Sequence, residues 1–221
     1  MKTIVLLISS LILVMFGCAS FQEPVDDSLL NEMTQPEKDN ISAVKNIIIV
    51  KKNEKDSAGK VVEISEQSIL VSNSRMSVIN VQKDYYLKKE KLYLLSGDAA
   101  KLQEARRMIK VTDEQAVKES ANKDYCISKR DADLAGFKMK EAELSVVVSQ
   151  LDFEKAKIAR EFQIRRYGEK YDKLVDSKKF DDYYNSMQDN LNKRKQEYQK
   201  TLDSLKTASD KLKATGYEEQ K

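Results

Sequence analysis

Two stripes of apolar residues, each repeating every seven positions, limit most strongly how this chain can fold. The first runs through residues 134–162 and consists of Phe137, Leu144, Leu151 and Ile158, with Leu134, Val148 and Phe162 on the companion position. The second runs through residues 180–212 and consists of Tyr184, Leu191, Tyr198, Leu205 and Leu212. A seven-residue apolar repeat is typical of helices that pack along their length, as in a coiled coil. The stripes therefore predict long amphipathic helices within a helical region at 84–215.

The two stripes are out of frame with each other. Gly168 and the polar stretch 176–179 lie between them, and the shift matches neither of the insertions that a continuous coiled coil absorbs easily. We therefore expect two antiparallel helices, a helical hairpin with its turn near residues 176–179. One bent rod is the alternative. The stripes alone leave open whether they pair within one chain or between chains.

Local signals predict helix boundaries earlier in the helical region. Ser96-Gly97 is a candidate break, and Asp98 is placed to cap the helix that follows it. Thr112-Asp113-Glu114-Gln115 matches a capping box, which predicts a kink or a restart there.

Residues 41–83 differ from the rest of the chain because they are rich in β-branched residues. They include Ile47-Ile48-Ile49, a turn-like Asp56-Ser57-Ala58-Gly59 and several short apolar segments. Three or four short strands fit this pattern, although a helix remains open for residues 44–52. The predicted fold is therefore mainly α with a small β-rich segment near the N-terminus, α+β overall.

The composition argues against catalysis and against a nucleic-acid partner. The chain has no histidine, and its 39 basic residues nearly balance its 36 acidic ones. Without histidine there is no Ser-His-Asp triad, no Cys-His pair and no histidine metal ligand. Since no phosphate-binding glycine loop or CxxC motif occurs either, we predict no enzyme activity and no catalytic, cofactor-binding or metal-binding residue. Cys126 is expected to be a small, inert helix residue, with a disulfide between two chains as the alternative in an oxidising compartment. Arg106-Arg107 are expected to form helical ion pairs with neighbouring acids.

The N-terminus has the form of a secretory signal peptide. Lys2 is followed by a largely apolar run from Ile4 to Phe16 and then by Gly17-Cys18. The run contains Ser9-Ser10 and is shorter than the roughly 20 apolar residues of a spanning helix. Residues 1–17 are therefore predicted to be removed on export.

Met15-Phe16-Gly17-Cys18 resembles the lipobox of bacterial lipoproteins, in a permissive form like that of spirochaete lipoproteins. The resemblance implies signal-peptidase cleavage between Gly17 and Cys18 and covalent attachment of lipid, with acyl chains such as palmitate, to Cys18. Several acyl chains anchor a protein firmly, whereas one chain gives only marginal binding. Because Ala19-Ser20 lacks an inner-membrane retention aspartate, the resemblance implies the outer membrane, on its periplasmic face or at the cell surface.

The flanking segments complete the predicted organisation. Residues 18–40 contain both prolines and an excess of acids, which predicts a flexible tether behind the lipidated cysteine. Residues 216–221 are predicted to be a disordered tail.

These features predict a membrane-anchored envelope lipoprotein that acts as a non-enzymatic structural or protein-interaction module. Its expected partners are the lipid bilayer, through Cys18, and a protein or a second copy, through the helices. A periplasmic chaperone-like or transport-accessory protein and a surface-exposed host-binding adhesin are the alternatives.

Overall fold

The structure is a computed structural model that describes residues 33–168 and 176–217. Within these residues the backbone forms three long α-helices, α1 (Gln35–Ser96), α2 (Ala99–Tyr167) and α3 (Ser177–Ala214). No strand occurs in this part of the chain. The prediction of a mainly helical protein is confirmed.

The predicted β-rich segment at residues 41–83 is wrong, because these residues lie within α1. Val44, Ser65 and Ser72 are buried and fall on one seven-residue repeat, so this face of α1 packs inward as a heptad stripe. Serine at inward positions concealed the repeat, while Ile47-Ile48-Ile49 suggested a strand. Strand propensity is a weak guide, since most helix stability in proteins comes from the packing of one face.

The ends of α1 and the start of α2 carry recognisable capping interactions. Thr34 and Glu37 form one half of a capping box, in which the Glu37 carboxylate accepts hydrogen bonds from the Thr34 backbone N–H (2.5 Å) and hydroxyl (2.7 Å). Gly97 ends α1 in the left-handed region, with φ of 70°. The Asp98 carboxylate then accepts a 3.1 Å hydrogen bond from the Lys101 backbone N–H, which caps α2. The predicted break and cap at residues 96–98 are confirmed.

Two predicted boundaries are wrong. Thr112 does not restart a helix, because α2 runs through it without interruption. Its hydroxyl donates to the carbonyl oxygens of Met108 and Ile109, so the side chain is satisfied inside the helix and is buried. The turn predicted at residues 176–179 is placed too far along the sequence. α2 already ends at Tyr167, and α3 has begun at Ser177.

The chain divides into two compact units, and the first contains residues 33–42, 149–168 and 176–184. Two small apolar clusters form its core. One contains Ala156, Ala159 and Phe180, with Phe153 packed against them, and the other contains Ile41 and Ile158, with Met33 and Leu151 beside them. Leu151 and Ile158 of the first heptad stripe therefore contact α1, whereas the two alanines contact α3. Here α2 packs against two helices rather than the one that the hairpin prediction assumed.

The second unit contains residues 43–148 and 185–217, and in it α2 is antiparallel to both α1 and α3. Facing pairs show the direction, because the α2 number falls as the α1 number rises: Lys51–Glu143, Ser72–Glu119, Lys83–Asp113 and Glu90–Arg106. Against α3, Gly136 faces the Tyr198 ring, and Lys118 donates to the Gly216 carbonyl. These contacts therefore define the register of α1 against α2 and the register of α3 against α2.

A ring of four charged side chains links α1 to α2 in the second unit. Lys51 contacts Glu54 (3.0 Å) and Glu143 (2.9 Å), and Lys140 contacts the same two carboxylates at 2.9 and 3.1 Å. Hydrogen bonds from Lys140 and Lys51 hold the pKa of Glu54 below its usual value. The hydrogen bond to Glu54 likewise raises the pKa of Lys140. Each charge in the ring has two opposite neighbours, so the ring favours this register of the two helices.

Candidate interaction groove

The end of α3 is fixed to both other helices of the second unit. After Ala214 the chain turns at Gly216, whose φ is 65° and whose carbonyl accepts a 3.3 Å hydrogen bond from Lys118 on α2. The next residue, Tyr217, accepts a 2.9 Å hydrogen bond through its hydroxyl from Arg75 on α1. Beyond this level α1 continues to Ser96, which at 1.5 Å per residue is about 30 Å of helix without α3 alongside.

A groove of about 920 Å³ opens where α3 ends. Its α1 wall combines four apolar side chains with Ser74, Arg75 and Gln82, and its other walls carry polar and charged groups from α2 and from the end of α3. The lining residues include Leu70, Val71, Val78 and Ile79 on α1, Gln115, Lys118 and Glu119 on α2, and Gly216 and Tyr217 after α3. An apolar wall with a few convergent polar groups is typical of a binding surface.

The floor of the groove contains a buried polar network centred on Glu119, which is only 5% exposed. Its carboxylate accepts hydrogen bonds from the Ser72 hydroxyl (2.6 Å) and the Asn122 amide (2.9 Å). Burial raises the pKa of the Tyr217 phenol, and the negative charge of Glu119 raises it further against the opposing effect of Arg75. Tyr217 therefore stays neutral at physiological pH and serves as a hydrogen-bonding contact that positions the end of α3.

A stripe of exposed apolar side chains runs along α1 beside the groove. We call it the α1 seam, and it consists of Ile64, Val71, Val78, Tyr85 and Leu92. These residues are seven positions apart, and each is more than half exposed. Each directly precedes a position of the inward-facing heptad stripe that contains Val44, Ser65 and Ser72. α1 therefore has two adjacent heptad stripes: that one faces inward, and the α1 seam faces solvent. Exposed apolar surface on this scale marks sites of protein–protein contact.

The residues that the sequence singled out and the structure describes, Cys126 and Arg106-Arg107, do not line the groove. Gly17 and Cys18 are outside the described residues, as are residues 1–17 of the predicted signal peptide and most of the predicted tether. Cys126 is a buried thiol on α2, with its sulfur 3.9 Å from the Asn122 side-chain oxygen. Arg107 pairs with Glu104 at 2.7 Å, as expected, whereas Arg106 pairs across the helices with Glu90 at 2.8 Å.

Sequence reasoning missed both the groove and the α1 seam. The seven-residue spacing from Ile64 to Leu92 was a usable signal, but it was hidden because residues 41–83 were interpreted as strands. The groove left no sequence signal, since it depends on where α3 ends against the other two helices.

No protein-family model, curated protein or solved structure matches the chain. Within residues 33–168 and 176–217, no helix has the length and apolar character needed to cross a bilayer. The same residues contain no group of three or more acids and cysteines placed to hold a metal ion.

Proposed function

We propose that this chain is a bacterial envelope lipoprotein, anchored to the outer membrane through Cys18, whose helices act as a non-enzymatic protein-interaction module. The observation that carries the interaction role is the α1 seam, because five large apolar side chains in heptad spacing face solvent. The proposal extends the coiled-coil interpretation of the sequence from the packing of the helices to their use as a contact surface.

The anchoring part of the proposal depends on residues 1–18. A basic start, a short apolar run and Gly17-Cys18 support export followed by lipidation. With acyl chains on Cys18, the helical body would be held at the membrane without a spanning helix.

Two cysteine substitutions test the anchor, and each is the control for the other. Cys18→Ser should abolish incorporation of a radiolabelled fatty acid and move the protein out of the membrane fraction. Cys126→Ser should leave both unchanged, because Cys126 is a buried residue of α2. Label that persists in Cys18→Ser, or is lost in Cys126→Ser, would contradict lipidation at Cys18.

A chaperone-like role is the second candidate, and the apolar wall of the groove favours it. In that role the groove would hold extended or helical client segments by their apolar side chains. The purified protein should then suppress aggregation of an unfolded client, and Val78→Glu, which puts a charge in the apolar wall, should remove that activity. A protein with no effect on client aggregation at stoichiometric concentration would not be a chaperone of this kind.

A further inference from the structure

We propose that the α1 seam is the interface of an antiparallel dimer of this chain, with Val78 of one copy against Val78 of the other. This inference rests on the proposed interaction role and names the partner as a second copy. It does not depend on lipidation.

The spacing of the seam suits a symmetric pair. Val78 is the middle of its five residues, so a two-fold axis at Val78 places Ile64 opposite Leu92 and Val71 opposite Tyr85. In a two-fold interface the same patch of each copy must be complementary to itself, and this arrangement meets that condition. From Ile64 to Leu92 the contact would be about 40 Å long at 1.5 Å per residue.

Charges beside the seam favour the antiparallel direction. The exposed acids Asp56, Glu63 and Glu66 precede Val78, and the bases Lys88, Lys89 and Lys91 follow it. Antiparallel pairing brings Glu63 of each copy to the level of Tyr93 of the other, between Lys91 and the end of α1. It brings Glu66 to the level of Glu90, whose charge is paired with Arg106 and which has Lys89 and Lys91 on either side. Between residues 56 and 91, Lys60 and Asp84 are exposed exceptions to this division, and Arg75 and Glu90 are half-buried ones. Opposite charges at the edges of a helical interface set orientation more than they set affinity.

Two basic residues on α1 disfavour a parallel pair in register. Arg75 and Lys89 lie four residues after Val71 and Tyr85, on the companion positions of the seam. A parallel dimer would place each of them against its own copy in the other chain. Juxtaposed like charges cost stability and exclude the wrong orientation.

The part of the seam after Val78 is also left uncovered within the second unit. The end of α3 is held at Arg75 and Lys118, so α3 does not lie beside Tyr85 or Leu92. Their exposed fractions are 51% and 60%. A second copy of α1 would cover both residues and would also lie across the α1 wall of the groove at Val71 and Val78.

Single cysteines test the proposal in the full-length protein within bacterial membranes. In a Cys126→Ser parent, oxidised Val78→Cys should run at twice the mass of the chain on a non-reducing gel, and reductant should reverse this. Ile64→Cys and Leu92→Cys should each stay monomeric alone and should cross-link when the two variants are co-expressed. Asn80→Cys is the matched control, because it lies only two residues from the dimer centre but is exposed on another face of α1.

The other outcomes overturn the proposal in distinct ways. Cross-linking of Ile64→Cys to itself would show a parallel pair, and a Val78→Cys product of any other mass would show a different partner. Val78→Cys cross-linking no more than Asn80→Cys would show that the seam is not an interface. A dimer of the parent itself, which keeps Cys18, would indicate an unmodified Cys18 thiol and would count against lipidation rather than against the seam.

Charge reversal tests the orientation separately. Glu63→Lys with Glu66→Lys should reduce the yield of the Val78→Cys dimer about ten-fold, because it removes two surface ion pairs on each side of the axis. Adding Lys88→Glu and Lys91→Glu to the same chain should restore the yield. A double variant that cross-links like the parent, or a quadruple variant that does not recover, would contradict the antiparallel arrangement.

Discussion

Two helix glycines in the second unit, Gly59 on α1 and Gly136 on α2, allow the seating of α3 to be tested by a matched pair of alanine substitutions. A Cβ added at Gly59 would lie 3.5 Å from the Phe137 ring, which is ordinary contact. A Cβ added at Gly136 would lie 3.2 Å from Cε2 and 3.5 Å from Cζ of Tyr198, so the ring on α3 would have to move by a few tenths of an ångström. Both substitutions add one methyl group, and they differ in the ring that the methyl group contacts, Phe137 for Gly59 and Tyr198 for Gly136.

The expected magnitudes follow from helix propensity and from packing. Alanine is about 1 kcal/mol better than glycine inside a helix, so Gly59→Ala should raise the free energy of unfolding by about that amount. For this size of chain that corresponds to a rise in Tm of about 2–4 °C. At Gly136 the same gain is offset by overpacking, which typically costs about 1–3 kcal/mol. Gly136→Ala should therefore be neutral or destabilising by up to about 2 kcal/mol.

Urea unfolding followed by circular dichroism at 222 nm measures both changes. In a Tyr198→Leu background, where the ring is absent, Gly136→Ala should regain its full benefit of about 1 kcal/mol, which identifies Tyr198 as the cause. If Gly136→Ala stabilised the wild-type protein as much as Gly59→Ala does, α3 would not be seated on α2 at this position, and the packing of the second unit would be refuted.

Three further predictions concern the core and the ionic ring. Ala159→Leu should destabilise the protein by about 1–3 kcal/mol, because Ala159 is fully buried beside α3; an unchanged urea midpoint would contradict that packing. Ser72→Ala should cost about 1.5–3 kcal/mol, since it removes a 2.6 Å donor from the buried Glu119 carboxylate, and Ser74→Ala on the exposed face should have no such effect. Because the pKa of Glu54 is lowered in the folded state, its contribution is present above its unfolded pKa and is lost as the pH falls. Urea midpoints should therefore drop as the pH falls below the usual glutamate pKa of 4.5, and less steeply in Glu54→Gln.

The helices that carry large apolar side chains at heptad positions could be predicted from sequence, and the part of α1 before residue 84 could not. Leu151 and Ile158 made the α2 stripe visible, and Tyr184 and Tyr198 did the same for α3. On α1 the buried positions are occupied partly by serine, so the repeat has little apolar contrast. The contacts that stabilise α1 as a helix come from α2, far away in sequence, and no local pattern encodes them.

A capping motif in the sequence is likewise not enough to predict where a helix begins. Thr34 and Thr112 both begin a sequence that matches a capping box, but only Thr34 uses it. The Thr112 hydroxyl bonds instead to carbonyls one turn earlier, and its burial keeps α2 continuous. The groove is a more extreme case, because it arises from the level at which α3 ends, which depends on the register between helices rather than on any motif.

The side chains buried between the helices determine how easily single segments of the molecule unfold. Among the described residues, the largest side chains that are fully buried are those of Thr112, Ser65, Ser72 and Ser149, whereas Phe162 and Phe180 each keep 9% of their surface exposed. The apolar clusters in the described part of the chain are small, and neither of them extends along the length of a helix. Amide hydrogen exchange should accordingly be graded along α1 and α2, with segments opening independently at free energies well below that of global unfolding. A helical body built in this way can open locally while the rest of it stays folded.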